Sequence, residues 1–232
     1  MVLELLKKAE ILTERDNAGR AVTFNNLACY YRRQGKLHAS LKYLQRALKI
    51  ESKLEHVDNP ADTFLNTCAV LSQLGRHRDA LAKAQQALIL LQEELSNMIG
   101  PMADGNEPPK ADRIAVLSIA YHNVGVEYEF LKQFDLCLQQ YRKGVEVSER
   151  FLGPDHSITI TLRNSCIAAR RAIVAKDPHA QMKMLSNKTK SRTGRSTRKE
   201  YATGTRGRPM ETLLSPRPED GDSQAAEEKE HF

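Results

Sequence analysis

The chain has 232 residues, 41% of them apolar, no Trp and 6% aromatics, a list that builds cores from Leu, Ala, Ile and Val and suits packed helices. Its formal charge of +6 is uneven: residues 1–175 hold 23 basic and 20 acidic side chains, 176–209 hold ten against two, and 210–232 hold two against seven. The basicity therefore belongs to a tail segment, and a uniformly basic nucleic-acid-binding domain is excluded.

In chain order, residues 1–15 read as one helix with Leu5, Leu6, Ala9 and Leu12 on a face. Next come four segments that line up: Phe24-Asn25-Asn26-Leu27-Ala28, Phe64-Leu65-Asn66-Thr67-Cys68, Tyr121-His122-Asn123-Val124-Gly125 and Leu162-Arg163-Asn164-Ser165-Cys166. Each has a large apolar residue, an Asn two places on and a small residue four places on. The Asn positions are spaced by 40, 57 and 41 residues, which gives a period of about 40 once an insert of about 17 is allowed in the middle interval. The first unit continues through Tyr31, Gly35, Ser40, Leu44 and Ala47-Leu48. The second continues through Leu71, Gly75, Ala80, Ala84 and Ala87-Leu88, and the third through Tyr128, Lys132, Cys137, Tyr141 and Gly144-Val145. Gly35 and Gly75 mark helix ends, whereas Asn59-Pro60 and Gly153-Pro154-Asp155 place Pro where a helix begins. Residues 96–112, with three Pro and two Gly, read as the inserted loop, in which Met98, Ile99 and Met102 either dock or are simply solvated. After Ala175 the periodicity stops, and composition predicts a disordered tail over 176–232, basic and then acidic, with a short helical continuation near Met182–Leu185.

These residues resemble the tetratricopeptide repeat, over roughly residues 1–175. The runs Asn25-Asn26-Leu27-Ala28, Gln34-Gly35-Lys36 and Leu152-Gly153-Pro154-Asp155-His156 are similar to the longer-period variety found in kinesin light chains. The resemblance implies an all-α fold, with antiparallel helix pairs stacked in a right-handed α-solenoid. Small side chains stand where paired backbones approach and bulky ones fill the gaps between units. Residues 1–15 then read as a second helix without its first, and the fourth unit shows a first helix only.

The resemblance also implies a concave groove lined by the first helix of each unit. The expected groove positions are Val22, Asn25, Asn26, Cys29, Arg32 and Arg33 in unit one. Unit two gives Asp62, Leu65, Asn66, Ala69, Ser72 and Gln73, and unit three Ile119, His122, Asn123, Val126, Glu129 and Phe130. Unit four gives Ile160, Arg163, Asn164, Ile167, Arg170 and Arg171. Two readings of the Asn row stand side by side. Its amides suit the backbone of an extended or helical peptide, with Arg at the ends for acidic residues of the ligand; equally, they can bond neighbouring helices and order the stack. The carboxylate clamp of chaperone-binding relatives is not reproduced, because Asn25, Cys29, Ile119 and Asn123 stand at its positions and only Asn66 matches.

The tail offers Lys188, Lys190, Arg192, Arg195, Arg198, Lys199, Arg206 and Arg208 to an acidic surface such as tubulin tails, an anionic membrane or nucleic acid. Arg206-Gly207-Arg208-Pro209 resembles one AT-hook core, but no second copy follows, which argues against nucleic acid as the partner. Ser191, Thr193, Ser196 and Thr197 lie among the basic residues, and phosphate there would subtract charge. Cys29, Cys68, Cys137 and Cys166 form no CxxC pair, the seven His are scattered, and no Gly-rich loop enters a helix. No metal, no cofactor and no catalytic residue is expected, and His38 and His77 read as solvent-exposed beside turns. No signal-peptide core or membrane span is legible, and four thiols fit a reducing compartment, so the expected location is cytoplasmic. The leading reading is a scaffold or adaptor of a cytoskeletal, transport or ciliary complex. The alternatives are a chromatin-associated protein acting through its tail and a regulatory subunit of an enzyme.

Overall fold

The computed structural model describes residues 1–99 and 111–176. Among these are eight α-helices and no strand: α1 (Val2–Leu12), α2 (Asn17–Arg33), α3 (Leu37–Glu51), α4 (Pro60–Gln73), α5 (His77–Ile99), α6 (Ala111–Phe130), α7 (Phe134–Phe151) and α8 (Ser157–Lys176). Three antiparallel pairs, α2–α3, α4–α5 and α6–α7, form the three repeat units, and each second helix also packs against the first helix of the following unit. α1 packs against α2 in that same manner. α2, α4, α6 and α8 contact one another along the array, whereas α3, α5 and α7 do not. The first helices therefore form one continuous inner wall, and the second helices splay on the outside.

The turns inside the pairs are built alike. Gly35, Gly75 and Lys132 stand at one repeat position, with φ of 71°, 74° and 60°. In each case the helix closes with two backbone bonds, as where Lys36 N–H donates to the Tyr31 carbonyl and Gly35 N–H to that of Arg32. This is the left-handed stop that glycine adopts freely and Lys132 adopts against steric cost. Asp16 caps α2 by accepting from the Gly19 N–H at 3.1 Å. Pro60 opens α4, as its place in the sequence predicts. Pro154, by contrast, lies three residues before α8, and His156 Nδ1 instead accepts from the Ile158 N–H at 3.3 Å at the helix start.

The small-residue slots work as the period implies. Gly125 faces Tyr141 so closely that an added Cβ would lie 2.5 Å from the ring, and Gly144 faces Tyr121 and Leu162. The core runs the length of the array, with Leu44, Leu65, Leu71, Ala84 and Leu117 in one cluster. A second cluster joins Ile119, Val126, Leu138, Tyr141 and Leu162. Polar side chains tie units together as well. The Arg113 guanidinium on α6 reaches Glu94 on α5 at 2.6 Å and Asp62 on α4 at 3.5 Å. At the N-terminal end Lys7 donates to Tyr43 Oη at 2.6 Å and Arg46 donates to Glu10 at 3.3 Å, fixing α1 to the first pair.

One boundary differs from the sequence reading. The expected loop over 96–112 is helical at 96–99 and 111–112, where α5 and α6 extend into it. The apolar run ending at Met98-Ile99 continues the helical pattern of α5, and Ala111-Asp112 opens α6. α8 runs to Lys176, straight through Ile173, the position at which Gly35, Gly75 and Lys132 turn. A β-branched residue there cannot take the left-handed backbone cheaply, so the helix continues.

Candidate peptide-binding groove

The packing of one first helix on the next decides which side chains line the concave wall. Asn25 Oδ1 accepts from Asn66 Nδ2 at 2.9 Å, joining α2 to α4, and His122 Nε2 lies 3.1 Å from Ser165 Oγ, joining α6 to α8. Asn66 and His122 are 4% and 1% exposed, and Cys29, Leu65, Ser72, Ile119 and Val126 are buried with them. These members of the expected groove set lie inside the seams, which is a correction for Asn66 and His122 as direct ligand contacts. The cause is local packing: Asn66, at the repeat position of Asn26, is buried where it bonds to Asn25, and His122, at the repeat position of Asn25, is buried where it meets Ser165 of α8. Burial of the His122 imidazole pushes its pKa down to about 4, so the seam holds it neutral at neutral pH.

The other stripe stays accessible. Asn26 and Arg33 on α2, Asn123 and Phe130 on α6, and Asn164 and Arg171 on α8 stand seven residues apart, Gln73 on α4 matches Arg33, and all are half-buried or exposed. Arg32 is half-buried beside the first seam. On α8, Arg163 pairs with Glu149 of α7, and with Arg170 and Ile167 it borders an open cleft between those two helices. Arg163 and Arg170 thus stand at the end of the array on the α7 side, apart from the Asn26–Asn123 stripe. α8 meets α6 through Ser165 and not through Asn164, which is exposed.

One pair escaped the sequence reading. His77 is half-buried, its Nδ1 lies 2.8 Å from Glu127 Oε2, and its ring stacks on Phe130 at 4.0 Å between centroids. His77 therefore departs from the solvent-exposed position expected of it. Glu127 is 1% exposed. The signal was present: Glu127 and His77 fill repeat positions held by Val70 and Leu37 in sibling units, and two polar residues in apolar slots need each other. The stack fixes Phe130 at the rim of the accessible stripe.

All four cysteines are buried, and burial pushes the Cys137 thiol up to about 12 and that of Cys68 higher still, so neither offers a thiolate nucleophile. Among the described residues no group of three or more His, Cys, Asp and Glu could hold a metal ion, and no helix is long and apolar enough to cross a membrane. Met102 of the insert and the tail residues Lys188, Lys190, Arg192, Arg195, Arg198, Lys199, Arg206 and Arg208 lie outside the described residues.

Stacked helix pairs with a continuous inner wall define an α-solenoid of the protein-interaction class. Tetratricopeptide-repeat family models match residues 19–96 and 119–151, so these parts of the chain are tetratricopeptide repeats. A solved structure, BtubC (BKLC) from P. vanneervenii, is similar with a TM-score of 0.51 and 11% identity, over 88% of this chain and 94% of that one. At that identity the likeness shows the fold. No curated protein matches the chain.

Proposed function

We propose that the chain is a non-catalytic adaptor whose concave stripe binds an extended or helical peptide of a partner protein, with acidic ligand residues drawn to Arg33 and Arg171 at its two ends. The observation that carries this reading is a set of amides reachable from solvent on successive inner helices, Asn26, Gln73 and Asn123 half-buried and Asn164 exposed. Primary amides donate and accept at once, which matches a peptide backbone, and Phe130 adds an apolar contact held in place by His77. Guanidinium groups favour carboxylates through bidentate bonds. The kinesin-light-chain-like runs at Asn25–Ala28, Gln34–Lys36 and Leu152–His156 favour a cytoskeletal, transport or ciliary setting. The tail would supply a second contact to an acidic surface such as tubulin tails.

An array of extended peptides, each paired with its charge-reversed twin, tests this with the full chain. Acidic members should bind at least about tenfold more tightly than their twins, and Arg33→Glu/Arg171→Glu should abolish or reverse that preference. Equal binding of twins, unchanged by the variant, would remove the acidic-ligand reading.

A further inference from the structure

The two ends of the array expose apolar surface of the kind that its interior buries. α1 is apolar on both sides: Leu3 and Leu6 pack into the first pair, while Leu5, Ile11 and Leu12 on the opposite side are 63–73% exposed. Leu5 and Leu12 are neighbours on that side, and Glu4 and Lys8 stand between them and Ile11. At the other end, Ile160 and Ile167 of α8 are each 42% exposed, although their counterparts one repeat earlier, Ile119 and Val126, are buried beneath α7 and α8. Among the described residues, six of the twelve exposed large apolar side chains lie on α1 and α8. Terminal units of a solenoid ordinarily carry a polar outer face, and these do not.

The residues that follow α8 are poorly suited to cover it in register. α8 passes through the turn position at Ile173, and Pro178 stands where Ser40, Ala80 and Cys137 occupy the second helix of the other units. Proline there would remove a helix hydrogen bond and clash with the preceding turn. The interface between successive units is heterologous, one face of a unit meeting the opposite face of the next. The two ends of the array are complementary halves of a unit, α1 a second helix without its first and α8 a first helix without its second.

We propose that the chain stacks head to tail on itself, the α1 end of one copy seating on the α7–α8 end of another and continuing the solenoid. The seat is the cleft of about 590 Å³ between α7 and α8, floored by Val145, Cys166 and Ile167. Its rim carries Arg142, Arg150, Arg163 and Arg170 with Glu146 and Glu149, and the α1 end exposes Glu4, Glu14 and Asp16 with Lys8 and Arg15, so each edge offers charges of both signs around the apolar contact. A heterologous contact that does not close into a ring grows into longer stacks.

Light scattering on the full chain, fractionated over a range of concentrations, tests the proposal. The average mass should rise with concentration above that of the monomer. Leu5→Glu/Leu12→Glu and Ile160→Glu/Ile167→Glu should each be monomeric alone, yet an equimolar mixture should double in mass, because each variant keeps one intact and complementary end. All four positions are exposed, and circular dichroism checks that the helices persist; Gln replaces Glu at any site where they do not. A wild type that is monomeric throughout would overturn the proposal, whether its ends are covered by its own later residues or not at all. So would a mixture that stays monomeric. Dissociation by one pair of substitutions alone would instead mark a symmetric contact of α1 with α1 or α8 with α8, and would equally overturn it.

Discussion

Glu127 and His77 show how single residues depart from the repeat without breaking it. Each sits where a sibling unit has an apolar side chain, and the carboxylate is buried because the imidazole meets it at 2.8 Å. His77→Leu should therefore cost about 2 kcal/mol, the penalty of a buried polar group left without its hydrogen-bond partner. Adding Glu127→Val should restore most of the loss, since Leu and Val are the residues of the sibling units. Urea midpoints of the single and double variants check the coupling; a double variant no better than the single would show the two residues acting alone. His122 gives a pH dependence of defined sign. Its folded pKa is about 4 against an ordinary 6.5, so the unfolded chain takes up the proton first. Its contribution is whole above the ordinary value and is lost as pH falls toward the folded one, on the order of 3 kcal/mol across the window. His122→Gln, which keeps a donor for Ser165, should flatten the fall in urea midpoint between neutral pH and about 4.5.

At the scale of elements, the three turns make a controlled comparison. Gly35 and Gly75 adopt left-handed backbone at no steric cost, and Lys132 adopts it as a side-chain-bearing residue. Lys132→Gly should stabilise the array by about 1 kcal/mol, measured by chemical denaturation; no gain would mean that the Lys132 side chain repays its own strain. Gly125→Ala should lose about 1–3 kcal/mol, because its Cβ would enter the Tyr141 ring. These positions were legible in the sequence because a sharp turn and a close helix contact each demand one residue type. The extent of α8 was less legible: Ile173 is an unremarkable helix residue until it is set against Gly35, Gly75 and Lys132. The ends of the 96–112 segment were missed for a related reason, since Pro and Gly announce a loop without saying where its flanking helices stop.

For the whole molecule, the period, the pairing of helices and the inner wall followed from the repeated Asn and small-residue slots. Which stripe of the wall faces the ligand did not. Asn25 and Asn26 are neighbours in sequence, and both carry an amide. Both are half-buried, and what separates them is the seam: Asn25 is bonded there to Asn66, which stands at the repeat position of Asn26 and is buried. The two readings of the Asn row fall on different residues: Asn25 and Asn66 bond to each other across the seam, and the proposed function assigns Asn26 and Asn123 to the ligand. The apolar ends are a property of the same scale, because no single unit displays them.

The division of the inner wall into seam and groove is tested most directly by one paired comparison. With an acidic peptide selected from the array, affinity and urea midpoint are measured together for Asn26→Ala/Asn123→Ala and for Asn25→Ala/Asn66→Ala. The groove pair should weaken peptide binding at least about tenfold with the midpoint unchanged, and the seam pair should lower the midpoint while the folded fraction binds as before. The opposite assignment, with the seam pair losing affinity at full stability and the groove pair losing stability, would contradict the account.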